Sequence, residues 1–251
     1  MKVYLAVVEN CSLDELLKIK PKYILESFAS ITNVSIEYSH SPHCKSFLLD
    51  SGAFTFMNNQ KKGKQMDFDS FLAKYIDFIN THDVKLFFEL DVDVIIGYEK
   101  VKALRKTLET RTGKKCIPVW HKSRGVDDYI EMVKEYDYVA IGGIAIGEIK
   151  RSDYKHLPWF IAKAHENNCK IHGLGFTGTS HLKDYKFDSV DSSSWMMSVA
   201  YGRLVKFNNQ VIKALPKPKN ARAKIEKRND IKLHNLREWV KYQHYMDKRR
   251  R

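Results

Sequence analysis

Short apolar runs alternate with amphipathic stretches along most of the chain. The apolar runs occupy residues 3–8, 47–49, 85–90, 116–120, 138–141, 170–174 and 187–190. Stretches with helical periodicity lie between them, at residues 67–80, 98–110, 127–135 and 159–168. Strands that alternate with helices are typical of a parallel sheet, and runs without polar alternation indicate burial on both faces. The pattern predicts seven strands, and an eighth near residues 203–207.

The chain length fits a single barrel. With 251 residues, 43% of them hydrophobic, the chain can bury a substantial core. Eight strands, each followed by a helix, need about 250 residues. We therefore predict an α/β fold, a single TIM-like (β/α)₈ barrel over residues 1–214. No apolar run approaches the length of a membrane span, and the first run is interpreted as a strand rather than a signal peptide.

Residues 215–251 differ from the rest in charge. They hold 13 Lys/Arg and 4 Asp/Glu, whereas the first 215 or so residues are nearly neutral, so this part supplies most of the net charge of +13. A Pro-rich linker at 215–220 precedes Leu233, Leu236, Val240 and Tyr245, whose spacing predicts a helix capped by Asp230. We expect this helix to pack on the barrel, to contact nucleic acid, or both.

Clustered Lys and Arg bind phosphates without reading bases. The nucleic-acid contacts predicted in this part are Lys217, Lys219, Arg222, Lys224, Lys227, Arg228 and Arg249.

The four cysteines predict no metal site. Cys11, Cys44, Cys116 and Cys169 are too far apart in sequence for a CxxC or zinc-ribbon spacing. Reduced thiols in a cytoplasmic compartment are expected instead. The sequence predicts no metal and no cofactor.

Polar residues and glycines follow several of the predicted strands. Because the active site of a β/α barrel lies at the carboxyl ends of its strands, these residues are candidates for one site. The residues are Asp50, Asp91, Asp93, His121, the glycine-rich loop at 142–148, Gly173, Asp188 and Asp191. One such Asp alone is often a helix cap. Several carboxylates in one cleft separate in pKa, which supplies an acid and a base or nucleophile.

Four of these runs resemble the motifs of one enzyme family. LDSGAF at 49–54, IGGIAIGE at 141–148, GLGFT at 173–177 and FDSV at 187–190 are similar to DSGG(F/Y)Q, GGLAVGE, GVGTP and FDCV. Those are motifs of the tRNA-guanine transglycosylases (queuine tRNA-ribosyltransferases). Their order and relative spacing also agree, and the resemblance covers roughly residues 45–195. It implies a barrel that exchanges bases in nucleic acid.

The resemblance also implies residue roles. Asp188 would attack C1′ of the nucleotide and form a covalent glycosyl-enzyme, as the carboxylate of a retaining glycosidase does. Asp50 would transfer protons as general acid and base. Asp91 would accept N–H bonds from a guanine-like base. The remaining base-binding residues would be Ser51, Gly52, His121, Gly142, Gly143, Ile144 and Gly173.

The chain departs from the tRNA enzymes in two places. It has no cysteine after Cys169, so the family's zinc subdomain is absent, and DSSSW at 191–195 replaces the PTR run that helps contact tRNA. A zinc-free chain with this stretch looks more like the phage and bacterial enzymes that place 7-deazaguanines in DNA. The expected reaction replaces guanine in DNA with a preQ0- or preQ1-type base, in the cytoplasm or in a phage-infected bacterial host.

The expected partners follow from that reaction. They are nucleic acid, with DNA favoured over tRNA, and the free 7-deazaguanine base, together with either a second copy of the chain or a partner subunit. The target nucleotide must flip out of a duplex. Trp195, or the pair Phe54 and Phe56, would stack on the flipped or vacated base.

Three alternatives remain open. One is a zinc-less tRNA-guanine transglycosylase, and another is a catalytically silent barrel that only binds nucleic acid. The third is an unrelated barrel hydrolase acting on sugars, which would leave the GGxAxGE-like run unexplained.

Overall fold

A curled sheet of seven parallel strands organises the molecule. The computed structural model describes residues 1–52, 67–180, 182–216 and 228–249. The strand order is β3-β2-β1-β7-β6-β5-β4. The strands are β1 (Lys2–Ala6), β2 (Tyr23–Ser27), β3 (Ser46–Asp50), β4 (Val119–Trp120), β5 (Tyr138–Ile141), β6 (Lys170–Gly173) and β7 (Ser189–Ser192). Two further strands, β8 (Val205–Phe207) and β9 (Ile212–Ala214), form a separate antiparallel pair.

Helices follow most of the parallel strands. Within the described ranges they are α1 (Leu13–Ile19), α2 (Asn33–Ser39), α3 (Phe68–Thr81), α4 (Asp93–Ile96), α5 (Tyr98–Thr112), α6 (Gly125–Glu135), α7 (Leu157–Glu166), α8 (Ser194–Ala200) and α9 (Arg228–Lys248). Local sequence explains several of their starts. The Asp67 side chain accepts the backbone N–H groups of Asp69 and Ser70, for example, and so caps α3. In the part of the chain that is described, no helix combines the length and apolarity that crossing a membrane requires.

The prediction of the eighth strand was wrong in position. Residues 205–207 form β8, which pairs with β9 and lies outside the parallel sheet. The strand missing from the prediction is β2, which pairs with both β1 and β3. Its apolar run is short, because Lys22 precedes it and Glu26 lies within it. Glu26 is nevertheless buried. A charged residue type at a buried position is the reason that the strand was not predicted.

Residues 86–89 lie between the two outer strands of the curled sheet. The Leu49 N–H donates to the Leu86 carbonyl (3.0 Å), and the Phe88 N–H donates to Leu49 (2.9 Å). On the other side, the Ile117 N–H donates to Phe87 (2.8 Å). Both contacts are single parallel bridges, between Leu49 and Phe87 and between Phe88 and Ile117. Segment 86–89 therefore contacts β3 on one side and the chain leading into β4 on the other.

The core has two layers, because successive strand residues point to opposite faces. One face carries a cluster that includes Tyr4, Leu25, Leu48, Phe88 and Val119, drawn from strands around the whole curl. The other face packs against the helices. This outer layer consists of two clusters, one around β1, β5, β6 and β7 and the other around α3 and α5.

The C-terminal helix α9 packs along the outside of the sheet. Its Leu236, Trp239, Val240 and Met246 are buried in the outer core. The described part of the helix begins at Arg228, so Asp230 lies in its first turn and is not a cap that precedes it. Packing on the sheet, one of the two expected roles of this helix, is therefore observed.

One buried amide ties α9 to the sheet. The Gln243 Nε2 group donates to the carbonyls of Val3 (2.8 Å) and Tyr23 (2.9 Å), and its Oε1 accepts the Lys22 N–H (2.6 Å). Gln243 is fully buried, and so are its bonds to the Val3 and Tyr23 carbonyls, so removal of the amide leaves these two carbonyls without that donor.

We expect Gln243→Ala to lower the free energy of unfolding by about 2–4 kcal/mol, because it removes the bonds to two buried carbonyls and one partly buried N–H and leaves a void. Urea denaturation measures the change. Gln210→Ala, at an exposed position, is the matched control and should change the value by less than about 0.5 kcal/mol. Equal effects of the two substitutions would contradict this role for Gln243.

Candidate active site

The carboxyl ends of the parallel strands surround a cavity of about 330 Å³. Asp50 at the end of β3, Asp91, His121 after β4, Gly143 after β5 and Asp191 near the end of β7 all line it. The structure thus brings together residues that the strand ends placed in the site, namely Asp50, Asp91, Asp93, His121, Gly143 and Asp191. Gly52 lines the same cavity.

His121 is held between two carboxylates. Its Nε2 lies 2.7 Å from Asp91 Oδ1, and its Nδ1 lies 2.7 Å from Glu148 Oε2. Burial lowers the pKa of His121, but the bonds to Asp91 and Glu148 outweigh burial and raise it to about 9. Both ring nitrogens therefore carry protons at neutral pH, and His121 donates to both acids. The Glu148 carboxylate also accepts the Ser123 N–H (2.9 Å).

Arg124 contacts the two aspartates beside His121, Asp91 and Asp93. Its side chain is almost fully buried, its Nε donates to Asp93 Oδ2 (3.0 Å), and its Nη2 lies 3.9 Å from Asp91 Oδ1. The guanidinium carbon lies 4.2 Å from the centroid of the Tyr98 ring. Sequence reasoning missed Arg124, since its charged partners Asp91 and Asp93 are about 30 residues away along the chain.

A buried carboxylate completes the network. Glu89 is fully buried, its Oε2 accepts Arg105 Nε (2.7 Å), and its Oε1 lies 3.5 Å from Arg124 Nη1. Oε1 also accepts the Val119 N–H (2.7 Å). Burial raises the pKa of Glu89, and the two guanidinium groups reduce that rise.

Among the described residues, Asp91, Asp93 and His121 form a group whose potential ligand atoms lie within 4.8 Å of one another. Two features fit a metal ion poorly. A metal needs an unprotonated imidazole nitrogen, whereas the pKa of His121 is raised to about 9. Arg124 already places a positive charge beside both carboxylates. The group is therefore better suited to hydrogen bonding with a ligand.

The pKa of Asp50 lies close to neutral pH, so this carboxyl group can both donate and accept a proton there. Burial raises it most, and the neighbouring charges of Asp91 and Asp191 raise it further, to about 7, against the opposing bond from the Gly52 N–H to Oδ2 (3.1 Å). Gly52 has φ +87°, and a Cβ there would lie 2.7 Å from Ala29 Cβ. Glycine is therefore required at this turn, which presents Asp50 to the cavity.

Asp188, the predicted nucleophile, lies away from the cavity. It immediately precedes β7, at the amino end of the sheet, where its Oδ2 accepts the Ile171 N–H (3.0 Å) and lies 3.0 Å from His165 Nε2. Its carbonyl accepts the Lys2 N–H (2.9 Å). The placement of Asp188 with Asp50 was wrong, because the strand extends to Ser192 and does not end at Val190.

Asp191 occupies the position expected of Asp188. It lies three residues further along, roughly 10 Å in a strand and on the opposite face. Its Oδ1 accepts the Gly175 N–H (2.5 Å) and lies 3.2 Å from His172 Nε2. Within the described residues no hydrogen bond reaches Oδ2, so one oxygen is held and the other is open to a ligand.

His172 fixes this orientation. It is fully buried, and its Nδ1 lies 2.5 Å from Ser189 Oγ, which also bonds the hydroxyl of Tyr138. If Nδ1 accepts from Ser189, Nε2 carries the proton and donates to Asp191. A chain of polar groups in the sheet interior thus holds Oδ1 of Asp191.

Four of the residues predicted to bind the base do not line the cavity. They are Ser51, Gly142, Ile144 and Gly173. Ser51 is buried, and Ile144 packs against the outer core. A Cβ at Gly142 would lie 2.8 Å from His121 Nε2, so this glycine gives the imidazole its room.

A second acidic wall was not predicted. Glu26 on β2 and Glu9 after β1 line the cavity between Asp50 and Asp191, and the Glu9 N–H donates to Glu26 Oε1 (3.1 Å). Burial, and then the adjacent Glu9, raise the pKa of Glu26 well above its usual range. Because β2 was not predicted as a strand, this pair of acids was not predicted as part of the site.

The predicted nucleic-acid contacts are only partly described. Lys217, Lys219, Arg222, Lys224 and Lys227 lie outside the described residues, as do Phe54 and Phe56. Arg228 and Arg249 lie at opposite ends of the long helix α9, roughly 30 Å apart.

Arg249 is exposed at the end of α9. It donates to the Tyr245 hydroxyl (2.8 Å) and lines a pocket with Asp188 at the amino end of the sheet. Its contact with nucleic acid stays a prediction. Trp195 is fully buried, and its Nε1 donates to the Ala6 carbonyl (2.7 Å), so it cannot stack on a base.

Comparison with models of known protein families gives no match, and comparison with curated proteins gives none either. The functional conclusion therefore depends on the geometry of the cavity and on the chemistry of its side chains.

The raised pKa of His121 predicts a stability that depends on pH. The folded pKa of about 9 lies above the usual 6.5, so His121 stabilises the fold fully below pH 6.5 and loses this contribution as pH rises through 9. The loss should be on the order of 3–4 kcal/mol, since the two pKa values differ by about 2.5 and each pKa unit corresponds to about 1.4 kcal/mol.

Urea unfolding at several pH values between 6 and 10, for wild type and His121→Gln, measures this contribution. Wild type should lose stability over that range, and His121→Gln should lose much less. The exposed His40→Gln variant should follow wild type. Parallel pH profiles for wild type and His121→Gln would refute a cationic His121 at neutral pH.

Proposed function

We propose that this chain is a base-exchange transglycosylase, which replaces guanine in DNA with a 7-deazaguanine base through a covalent intermediate on Asp191. One observation carries the proposal. Asp191, with one oxygen held and one open, lines the same cavity as Asp50, whose pKa is about 7. Such a pair supplies a nucleophile and a proton carrier for cleavage at C1′.

The first half-reaction breaks the bond to guanine. Oδ2 of Asp191 forms a bond to C1′ as the C1′–N9 bond breaks, and the electron pair of that bond leaves with guanine. Asp50 gives its proton to the departing base and becomes a carboxylate. His172 and the Gly175 N–H hold the other oxygen of Asp191, which keeps the attacking oxygen directed into the cavity.

The second half-reaction reverses these steps with a different base. The Asp50 carboxylate takes the N9 proton of the incoming 7-deazaguanine, N9 attacks C1′, and the bond to Asp191 breaks. A group that gives and then takes a proton works best with a pKa near the working pH. The pKa of about 7 meets that requirement.

The part of the cavity formed by Asp91, His121 and Gly143 suits the hydrogen-bonding edge of a guanine-like base. Asp91 accepts a hydrogen bond from the cationic His121, and Arg124 lies close to the same carboxyl oxygen. Guanine and 7-deazaguanine present N1–H and a 2-amino group as adjacent donors, which adenine does not. The backbone of Gly143, with φ +79°, lies at this wall and would donate to the 6-carbonyl.

We also propose that the curled sheet is a complete (β/α)₈ barrel, with segment 86–89 as its eighth strand. The parallel bridges on both sides of this segment support closure between β3 and β4. Where backbone pairing stops, the Glu89 carboxylate accepts the Val119 N–H in place of a strand carbonyl. The cavity at the carboxyl ends then has the position usual for active sites of this fold.

DNA is the proposed polymer rather than tRNA. The support is the DSSSW stretch that begins at Asp191, in place of the PTR run that helps contact tRNA in the tRNA enzymes. The free 7-deazaguanine base is the second substrate.

Substitutions of Asp191, in β7, and of Asp188, directly before it, test the mechanism. Wild type should incorporate radiolabelled guanine into duplex DNA, and Asp191→Asn should reduce the rate at least about 10³-fold, since it removes the nucleophile. Asp188→Asn is the matched control, at the far end of the same strand, and should stay within about fivefold of wild type.

The outcomes separate the alternatives. Loss of exchange in Asp188→Asn with retention in Asp191→Asn would overturn the assignment of the nucleophile. Incorporation of label only into bulk tRNA would show that the substrate is tRNA and not DNA. Incorporation into neither polymer would indicate a barrel that binds nucleic acid without this activity.

The pKa of Asp50 predicts the pH dependence of base release. Single-turnover formation of the covalent intermediate needs protonated Asp50, so its rate should fall about tenfold per pH unit above pH 7. Asp50→Asn should slow this step by about 10²–10⁴-fold and remove the inflection. A rate that stays level from pH 6 to 9 in wild type would contradict the role of Asp50.

A further inference from the structure

A second groove lies beside the active-site cavity, on the outer side of β4. It encloses about 380 Å³, and its lining includes Trp120, Val126, Ile149, Trp159 and Phe160. Trp159 is 42% exposed, and its ring packs edge-on against Phe160 at 5.0 Å between centroids. The groove therefore presents an accessible aromatic ring held in place by a second one.

One wall of this groove is basic. It is formed by the 3₁₀ helix Arg151–His156 together with Lys122. Lys122, Asp153 and His156 line the groove, and Lys122 is paired with Asp153 (3.0 Å). Lys150, Arg151 and Lys155 are exposed on the same segment of the chain, next to these lining residues in sequence. The acidic residues Asp127 and Asp128 belong to α6, which contributes Val126 to the other wall. The excess positive charge thus lies on a single side of the aromatic floor.

The groove and the cavity are formed by neighbouring residues of the chain. Trp120, which lines the groove, directly precedes His121, which lines the cavity. Glu148, which bonds His121, directly precedes Ile149, another lining residue of the groove. The chain on both sides of His121 therefore belongs partly to the groove and partly to the cavity.

We propose that this groove binds single-stranded DNA next to the target nucleotide, with an adjacent base stacked on Trp159 and its phosphates near Lys150, Arg151 and Lys155. The identity of the target nucleotide rests on the proposed function, whereas the groove's own chemistry does not. Aromatic rings beside a basic track are the elements that bind single strands without reading sequence.

The conformation of the substrate favours this occupant. Flipping a nucleotide out of a duplex unstacks its neighbours. An exposed ring at the edge of the cavity can replace one lost stacking interaction. The other described tryptophans, Trp120, Trp195 and Trp239, are buried and unavailable for stacking on a ligand.

Tryptophan fluorescence tests the inference directly, because Trp159 is the exposed one of the four tryptophans. Titration with a 12-residue oligodeoxythymidylate should quench the emission of wild type. Trp159→Phe should keep binding, measured by anisotropy of a labelled oligonucleotide, but lose the quenching. Trp159→Ala should weaken binding about 5- to 100-fold, as expected for one stacked base.

Charge variants test the basic wall. Arg151→Glu combined with Lys155→Glu should weaken binding and flatten its dependence on salt, since fewer counterions are released. Lys100→Glu combined with Lys106→Glu, at exposed positions of α5, has the same change in net charge and is the matched control. It should weaken binding much less.

The results distinguish this inference from the proposed function. Quenching and weakened binding of Trp159→Ala, without any base exchange by wild type, would support the groove and refute the transglycosylase. Base exchange by wild type, with Trp159→Ala binding DNA as tightly as wild type, would overturn the groove alone. Binding and quenching by oligouridylate but not by oligodeoxythymidylate would overturn its assignment to DNA.

Discussion

Glu89 is a carboxylate without exposed surface, at the point where backbone pairing between segment 86–89 and β4 ends. A buried charge costs several kcal/mol unless it is paired and fully hydrogen-bonded. Arg105 and Arg124 supply the pairing, and the Val119 N–H supplies a further bond. The position of Arg124 follows from this requirement, and the placement of Asp91, Asp93 and His121 follows from Arg124.

The consequences extend through four further contacts. Arg124 bonds Asp93 and lies near Asp91. Asp91 in turn accepts from His121, whose other nitrogen donates to Glu148 in the glycine-rich loop. Alternating charges therefore link the sheet interior to the loop at its rim. Each group is oriented by a charged neighbour, which makes the wall rigid before any ligand binds.

The pKa values of two carboxyl groups are shifted in opposite directions: Asp50 lines the cavity, and Glu148 bonds His121 without lining it. Burial and two neighbouring aspartates raise the pKa of Asp50, whereas the cationic His121 and the Ser123 N–H lower the pKa of Glu148 despite its burial. A site that separates its carboxyl groups in this way can keep one proton available and its other acids ionised. In our account Asp50 is that proton carrier, Asp91 reads the base, and Asp191 attacks the sugar.

Much of this arrangement could be predicted from the sequence, because strand ends in a parallel sheet converge. That rule placed Asp50, Asp91, His121 and Gly143 in one cavity, and helical periodicity placed α3, α5, α6 and α7 close to their observed bounds.

Two errors arose from single residues. Glu26 interrupted the apolar run of β2, and the end of β7 was placed two residues too early, which put Asp188 where Asp191 lies. Contacts between distant residues, such as that of Arg124 with Asp93, leave no local pattern in the sequence.

The most direct measurement locates the covalent intermediate. The protein would be incubated with duplex DNA, quenched in acid and digested with trypsin, and the modified peptide would be fragmented in a mass spectrometer. Residues 187–203 form one tryptic peptide that contains both Asp188 and Asp191, so fragment ions distinguish them. Our account predicts a deoxyribose adduct on Asp191. An adduct on Asp188, or on a residue outside this peptide, would contradict it.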